Sequence, residues 1–163
     1  PPSLYPVTLT GLAEQLVIIV GGGPVATRKV SKLLDTGARL RVISPEITHQ
    51  LQMWRSEERV EWFERRFQSD DLADAVLAFA ATNVRSVNAR VAEEARSKGI
   101  LCNVADVPSD GSFHVPATHR EDGIVVAVSS EAGEPKRAIA ARDQIATALS
   151  TKGSADARTE QER

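Results

Sequence analysis

Leu16-Val17-Ile18-Ile19-Val20-Gly21-Gly22-Gly23-Pro24-Val25-Ala26-Thr27-Arg28 is the stretch on which the fold turns. Its first five residues are apolar and mostly β-branched. They are too few for a buried helix, so they predict a strand covered on both faces. Gly21, Gly23 and Ala26 then fall at the spacing of the G-x-G-x-x-G/A dinucleotide fingerprint. The first glycine makes the tight turn, the second lets backbone approach a pyrophosphate, and the small third residue permits close packing of helix on strand. Pro24 suits a first helical turn, whose free N–H groups and positive dipole end face the phosphates. Glycine turns also end ordinary strands, so the neighbouring sequence has to support the reading.

The neighbouring sequence does so. Val25, Val30, Leu33 and Leu34 make an apolar helical stripe, Gly37 stands at a helix C′ position, and Ala38 to Ser44 reads as a second strand. Strand, glycine turn, helix and strand within about 30 residues form one βαβ unit. Further on, Ile47 to Glu58 is a mixed helical stretch, Val60 to Phe63 a short strand, and Asp70 to Leu72 a helix start. Ala75 to Ala81 suits a central strand, Val84 to Lys98 a crossover helix closed by Gly99, and Ile100 to Ala105 another buried strand. This alternation predicts an α/β fold, a Rossmann-like doubly wound parallel sheet, over residues 1–111. Gly21 to Gly23, Ser44 to Glu46, Thr82-Asn83 and Asp106 all fall at strand carboxyl ends, where such sheets bind ligands.

A small α+β segment over 112–150 is expected next. Phe113 to Thr118 and Ile124 to Ser130 read as an antiparallel pair joined through His119 to Gly123, Ser129 to Gly133 as a turn, and Pro135 to Leu149 as a helix. One apolar hairpin and one helix make a poor independent core, which points to a homodimer. Residues 151–163 are polar and lack periodicity, so they are expected to be disordered. Tyr5 to Leu9 is an edge strand or an arm.

Composition narrows the function. With 163 residues, 42% hydrophobic and a net charge of −2, the chain supports a sizeable core and carries no excess charge for nucleic acid. No 18-residue apolar run or export signal is present, so no membrane association and a cytoplasmic location are expected. Cys102 is the single cysteine. It excludes an internal disulfide and reads as a buried thiol. His114 and His119 match no zinc spacing, and no resident metal is expected.

The residues Gly21 to Lys29, Leu33 to Ala38, Val42 to Glu46, Ala80 to Asn83, Val87-Asn88, Asn103 to Asp106, Ser112-Phe113, Pro116-Ala117 and Val126 to Ser130 together resemble the precorrin-2 dehydrogenase family, the dehydrogenase module of siroheme synthases. The likeness covers roughly Tyr5 to Arg142. It implies a two-electron oxidation of precorrin-2, a substrate with eight carboxylates, to sirohydrochlorin, with hydride passing to NAD⁺. It also implies a homodimer built through the segment after the nucleotide fold. By the resemblance the nucleotide contacts fall on Gly22, Gly23, Pro24 and Val25, on Ser44, Pro45 and Glu46, and on Thr82; Gly21 joins them through the fingerprint. The catalytic carboxylate falls on Asp106.

Alternatives stand beside several of these readings. Asp106, before Val107-Pro108, also reads as a turn-shaping residue. Glu46 either holds a ribose or charges the first turn of the next helix. No arginine follows Ser44 directly to accept a 2′-phosphate, which favours NAD over NADP. Arg65-Arg66 is a solvated strand end or a phosphate clamp. Arg28, Lys29, Lys136 and Arg137 are candidates for a basic pocket or simple helix charges. Asn83 and Glu134-Pro135 depart from the family pattern. Relatives usually carry a further helical region, so dehydrogenase activity with little or no ferrochelatase activity is expected. The alternatives are a bifunctional dehydrogenase and ferrochelatase, a non-catalytic NAD-binding redox sensor, and a tetrapyrrole carrier with a vestigial nucleotide site.

Overall fold

A computed structural model of the chain describes residues 4–131 and 134–160, the last ten of these by backbone alone. The chain forms two compact units: Thr8–His114, and Val115 onward together with the first residues through Val7. The division falls at His114, three residues beyond the expected 111.

In the first unit, β1 (Leu16–Val20), β2 (Arg39–Ile43), β3 (Glu61–Phe63), β4 (Ala75–Ala80) and β5 (Leu101–Val104) form one sheet in the order β3-β2-β1-β4-β5. All four pairings are parallel. β1 is central because every one of its side chains is buried, with Val17, Ile18 and Ile19 fully so. Each such side chain contributes about 1.5–3 kcal/mol over leaving it in water. α1 (Pro24–Leu33) and α2 (His49–Ser56) supply Ala26, Val30, Leu33 and Leu51 to the sheet face that carries Val17 and Ile19. α3 (Arg85–Ser97) packs Val91, Ala92 and Ala95 on the opposite face against Ile18, Val20 and Cys102. The sheet is therefore covered on both faces, as the apolar runs predict. The chain leaves β1 for β2 and β3 on one side and returns to β4 on the other, so strand order reverses between β1 and β4.

The smaller elements correct several expectations. α1 tightens into a 3₁₀ turn at Leu34–Thr36 before Gly37, at φ +73°, ends it. The expected helix start at Asp70 is a single 3₁₀ turn, Ser69–Leu72. Tyr5 to Leu9 forms no strand and is exposed, so it is an arm.

In the second unit, β6 (Ala117–Glu121) and β7 (Ile124–Val128) pair antiparallel with Glu121 opposite Ile124. The first strand therefore starts four residues later than the expected Phe113, and His119 to Glu121 belong to it rather than to the linker. The cause is Asp122-Gly123, at φ +47° and +78°, a two-residue turn of the type that matches strand twist. α4 (Pro135–Glu160) packs on both strands and runs ten residues past Ser150. The expected disordered tail is thus helical to Glu160. Once a helix is nucleated each added residue gains one hydrogen bond, so no apolar stripe is needed to extend it. Ala132 and Gly133 of the expected turn and residues 161–163 lie outside the described residues. Among those described, no helix is long and apolar enough to cross a membrane.

Candidate functional site

The ladder hydrogen bonds continue past the strand ends and align four loops along the carboxyl crest. Gly21 N–H donates to Ile43 O (2.9 Å), Ala81 N–H to Val20 O (2.8 Å) and Ala105 N–H to Ala80 O (3.0 Å). Ser44 to Glu46, Gly21 to Gly23, Thr82 and Asp106 therefore follow one another across the crest. Its breadth is three strand spacings, about 14 Å. The expected nucleotide contacts and Asp106 all lie along this edge, whereas Lys136 and Arg137 belong to the second unit.

The three glycines have three separate reasons. Gly21 adopts φ +121°, and a Cβ there would lie 2.4 Å from Ala81 O, so only glycine makes this turn beside β4. A Cβ on Gly22 would lie 2.0 Å from Glu46 O and 2.9 Å from Ser44 Oγ. Gly22 is what allows the β2–α2 loop to close onto the glycine turn. Gly23 is different: its backbone is extended (φ −84°, ψ −171°) and a Cβ there would meet nothing within 4 Å. The protein itself makes no use of the missing side chain. Gly23 caps α1 without a side-chain hydrogen bond, Pro24 and Val25 open the helix exposed to solvent, and its first turn holds no acid. Ala26 is fully buried against the sheet. The helix start thus presents open space and positive dipole character.

Hydroxyls stitch the two helix starts together. Thr27 Oγ1 lies 2.8 Å from Thr48 Oγ1, Thr48 N–H donates to Gly22 O (2.9 Å), and Thr48 Oγ1 accepts from Leu51 N–H as the cap of α2. Glu46 stands two residues before that cap, outside the first turn of α2, which contains no acid. The dipole reading of Glu46 is thereby weakened; the residue is exposed, with its backbone carbonyl against the glycine turn. Ser44 is held through its backbone, N–H to Phe63 O (3.2 Å) and O from Trp62 Nε1 (2.9 Å). At the end of β4, Thr82 is clamped by the fully buried Asn88. Asn88 Oδ1 accepts from Thr82 N–H (3.1 Å) and Oγ1 (2.7 Å), and Nδ2 donates to Thr82 O (3.0 Å).

Asp106 is exposed just beyond β5. Its Oδ2 lies 4.0 Å from Arg85 Nε, and Arg85, the first residue of α3, also pairs with Asp110. The carboxylate thus shares a cation with the turn at Pro108–Asp110. Arg65, by contrast, is neither a free charge nor a phosphate clamp. It bonds both oxygens of the buried Asp71 at 2.8 and 2.5 Å and lies over the Phe63 ring. Burial pushes the Asp71 carboxyl up, but the Arg65 guanidinium and the Gln68 N–H outweigh it and hold it below the usual carboxylate range. Arg66 is exposed at the end of the same connection.

The comparisons with known proteins agree with this geometry. A family described as putative NAD(P)-binding matches residues 9–117. SirC, a precorrin-2 dehydrogenase of known structure, superposes with a TM-score of 0.74 at 27% identity, over 91% of this chain and 71% of that one. The chain belongs to this putative NAD(P)-binding family. Among curated relatives, siroheme synthase 1 of Aeromonas salmonicida (strain A449) is 38% identical over 138 residues, 85% of this chain and 30% of its own length. The siroheme synthase of Ectopseudomonas mendocina (strain ymp) is 40% identical over 131 residues, 80% and 28%. A probable multifunctional siroheme biosynthesis protein, HemA, of Ruminiclostridium josui is 36% identical over 140 residues, 82% and 27%. The chain spans under a third of the length of these curated relatives.

NAD(P) is the cofactor of this family, and the residues present fit it. Gly23 leaves room that no protein atom fills, and the first turn of α1 carries no acid to repel a pyrophosphate. The residues that sequence reasoning missed are the supporting ones. Asn88 gives a detectable signal, a lone amide on the apolar stripe of α3. Gly22 as the seat for Glu46, and Arg85 as the partner of Asp106, depend on contacts between distant segments and leave none.

Proposed function

We propose that the chain oxidises precorrin-2 to sirohydrochlorin, as a cytoplasmic enzyme with NAD⁺ as the two-electron acceptor and Asp106 as the base. The observation that carries this reading is the single crest on which an acid-free, uncapped helix start after β1 and a carboxylate after β5 stand on the two sides of β4. The likeness to SirC over 91% of the chain supports the same reaction.

When bound, NAD⁺ supplies the acceptor for one hydride from a substrate carbon. The chain's own residues arrange the rest. Gly21 to Val25 offer backbone N–H groups and the positive end of α1 to the pyrophosphate. Glu46, seated by Gly22, takes the adenosine ribose hydroxyls, and Ser44 and Pro45 shape the adjoining loop. Thr82, immobilised by Asn88, fixes the neighbouring strand end. Asp106 removes the proton from the carbon next to the one that loses hydride, and the electrons of that C–H bond form the new double bond. The Arg85 guanidinium keeps the carboxylate on the crest.

The experiment is anaerobic absorbance with freshly generated precorrin-2, following NADH and sirohydrochlorin together. Equal appearance of both is expected. Asp106→Asn removes the base and should lower the rate at least about 100-fold, the contribution usual for a positioned base, while NAD⁺ affinity is retained. Undiminished oxidation by that variant would refute the assignment of Asp106.

We further infer that the functional form is a homodimer joined through the second unit. Val115, Ile124, Val125, Ile139 and Ile145 are all at least 40% exposed there, apolar side chains that a second copy would cover. Sedimentation should report about twice 17.6 kDa. A monomer at micromolar concentration would sink this part.

A further inference from the structure

Lys29 on α1 reaches over the sheet face to β5. Its Nζ donates to Asn103 Oδ1 (2.6 Å) and stands 5.3 Å from the centre of the Phe79 ring. Asn103 is buried and donates its own Nδ2 to Phe113 O (3.0 Å), while Phe113 meets Phe79 edge-on at 5.6 Å. The ammonium is thus lodged between the Phe79 ring and one amide oxygen, half withdrawn from water.

Among the described residues no carboxylate pairs with it, although ten ion pairs form elsewhere. Burial, and then the like charges of Lys32 and Arg28, push its pKa below the usual lysine value. An amide donor such as glutamine would tie α1 to β5 equally well without withdrawing a charge from water. Among the described residues the charge has no oppositely charged partner. Nor is the place remote from the chemistry, since Asn103 lies on β5 and Asp106 stands two residues beyond the end of that strand.

We propose that Lys29 anchors one carboxylate of the substrate, an acidic side arm of a tetrapyrrole whose ring edge lies at Asp106. This rests on the reading of the crest as the site of tetrapyrrole oxidation. The ammonium has three donors, of which Asn103 takes one, so two remain for an incoming carboxylate. The ring of Phe79 and the amide of Asn103 keep the amine from swinging back along α1, so the anchor is in place before the ligand arrives. Lys29 selects for acidic arms and fixes the orientation of the ring. It takes no part in the proton or hydride steps.

The test uses the whole chain and two stable tetrapyrroles, uroporphyrin with eight carboxylates and coproporphyrin with four. Fluorescence titration reads tetrapyrrole binding, a separate titration reads NAD⁺, and thermal unfolding reads the fold. Lys29→Gln keeps the donor to Asn103 and loses the charge. It should weaken uroporphyrin binding roughly tenfold, reduce the preference for uroporphyrin over coproporphyrin, and leave NAD⁺ affinity within about twofold. Lys29→Arg should restore the preference. In wild-type protein labelled with ¹³C-lysine, the Lys29 Cε resonance should move on adding uroporphyrin. Unchanged uroporphyrin affinity in Lys29→Gln, an equal loss of NAD⁺ affinity, or an unmoved Lys29 resonance would each overturn the proposal. Wild-type protein that binds NAD⁺ but neither tetrapyrrole would instead overturn the tetrapyrrole reading, and the anchor with it.

Discussion

Replacing Gly23 and Gly22 by alanine, one at a time, separates a glycine kept for the ligand from one kept for the fold. At Gly23 the backbone is extended, and the new methyl would meet no protein atom within 4 Å. Lower unfolded-state entropy favours the variant by about 0.4–1 kcal/mol, and alanine's poor performance as a helix cap opposes it by a similar amount. The thermal midpoint should therefore move little. On the proposed placement the methyl occupies the space through which a pyrophosphate approaches the α1 amides. Loss of one charge-assisted N–H contact, about 1.5–3 kcal/mol, corresponds to a roughly 10- to 150-fold weaker Kd for NAD⁺ by calorimetric titration. At Gly22 the methyl would sit 2.0 Å from Glu46 O, a backbone atom that cannot rotate away. Overpacking of this kind costs about 1–3 kcal/mol, which for a chain of this size lowers the midpoint by roughly 3–10 °C. Gly22→Ala should thus lose stability and affinity together, and Gly23→Ala affinity alone. A Gly23→Ala protein that binds NAD⁺ like the wild type would refute the placement of the pyrophosphate at α1.

Two further predictions concern the frame around the site. Arg65→Gln should cost about 2 kcal/mol at pH 7 by leaving the buried Asp71 carboxylate without its cation. Because the folded carboxyl lies below the ordinary range, this stability is present above the unfolded value near 4 and is lost as pH falls through the folded one. Urea midpoints of wild type and variant should therefore converge as pH falls below the unfolded value, and a gap independent of pH would contradict the pairing. Cys102 is buried, and burial pushes its thiol up to about 11. Ellman's reagent at pH 8 should leave the folded protein unlabelled and modify one thiol per chain in guanidinium; rapid labelling of the folded chain would place the thiol at the surface.

The elements that were legible in the sequence are those whose signal is local. Val17 to Val20 and Ala75 to Ala80 read as strands because both faces of each are covered, which removes polar alternation. Gly21, Gly23 and Ala26 read as a fingerprint because their spacing follows from one turn and one helix. The hairpin was misplaced although its signal was also local: Asp122-Gly123 is a strong two-residue turn, but the polar run His119 to Glu121 resembles a loop when it is in fact a strand. Arg65 and Lys29 mark the limit of such reading. Both are basic residues in charged surroundings, indistinguishable by composition. The fold gives one a buried carboxylate six residues ahead and the other only an amide oxygen 74 residues away. What a charge is for depends on whether the fold supplies its counter-ion, which becomes visible only when distant segments meet. Arg65 is satisfied within the chain and belongs to stability, whereas Lys29 is left to be satisfied from outside and belongs to binding.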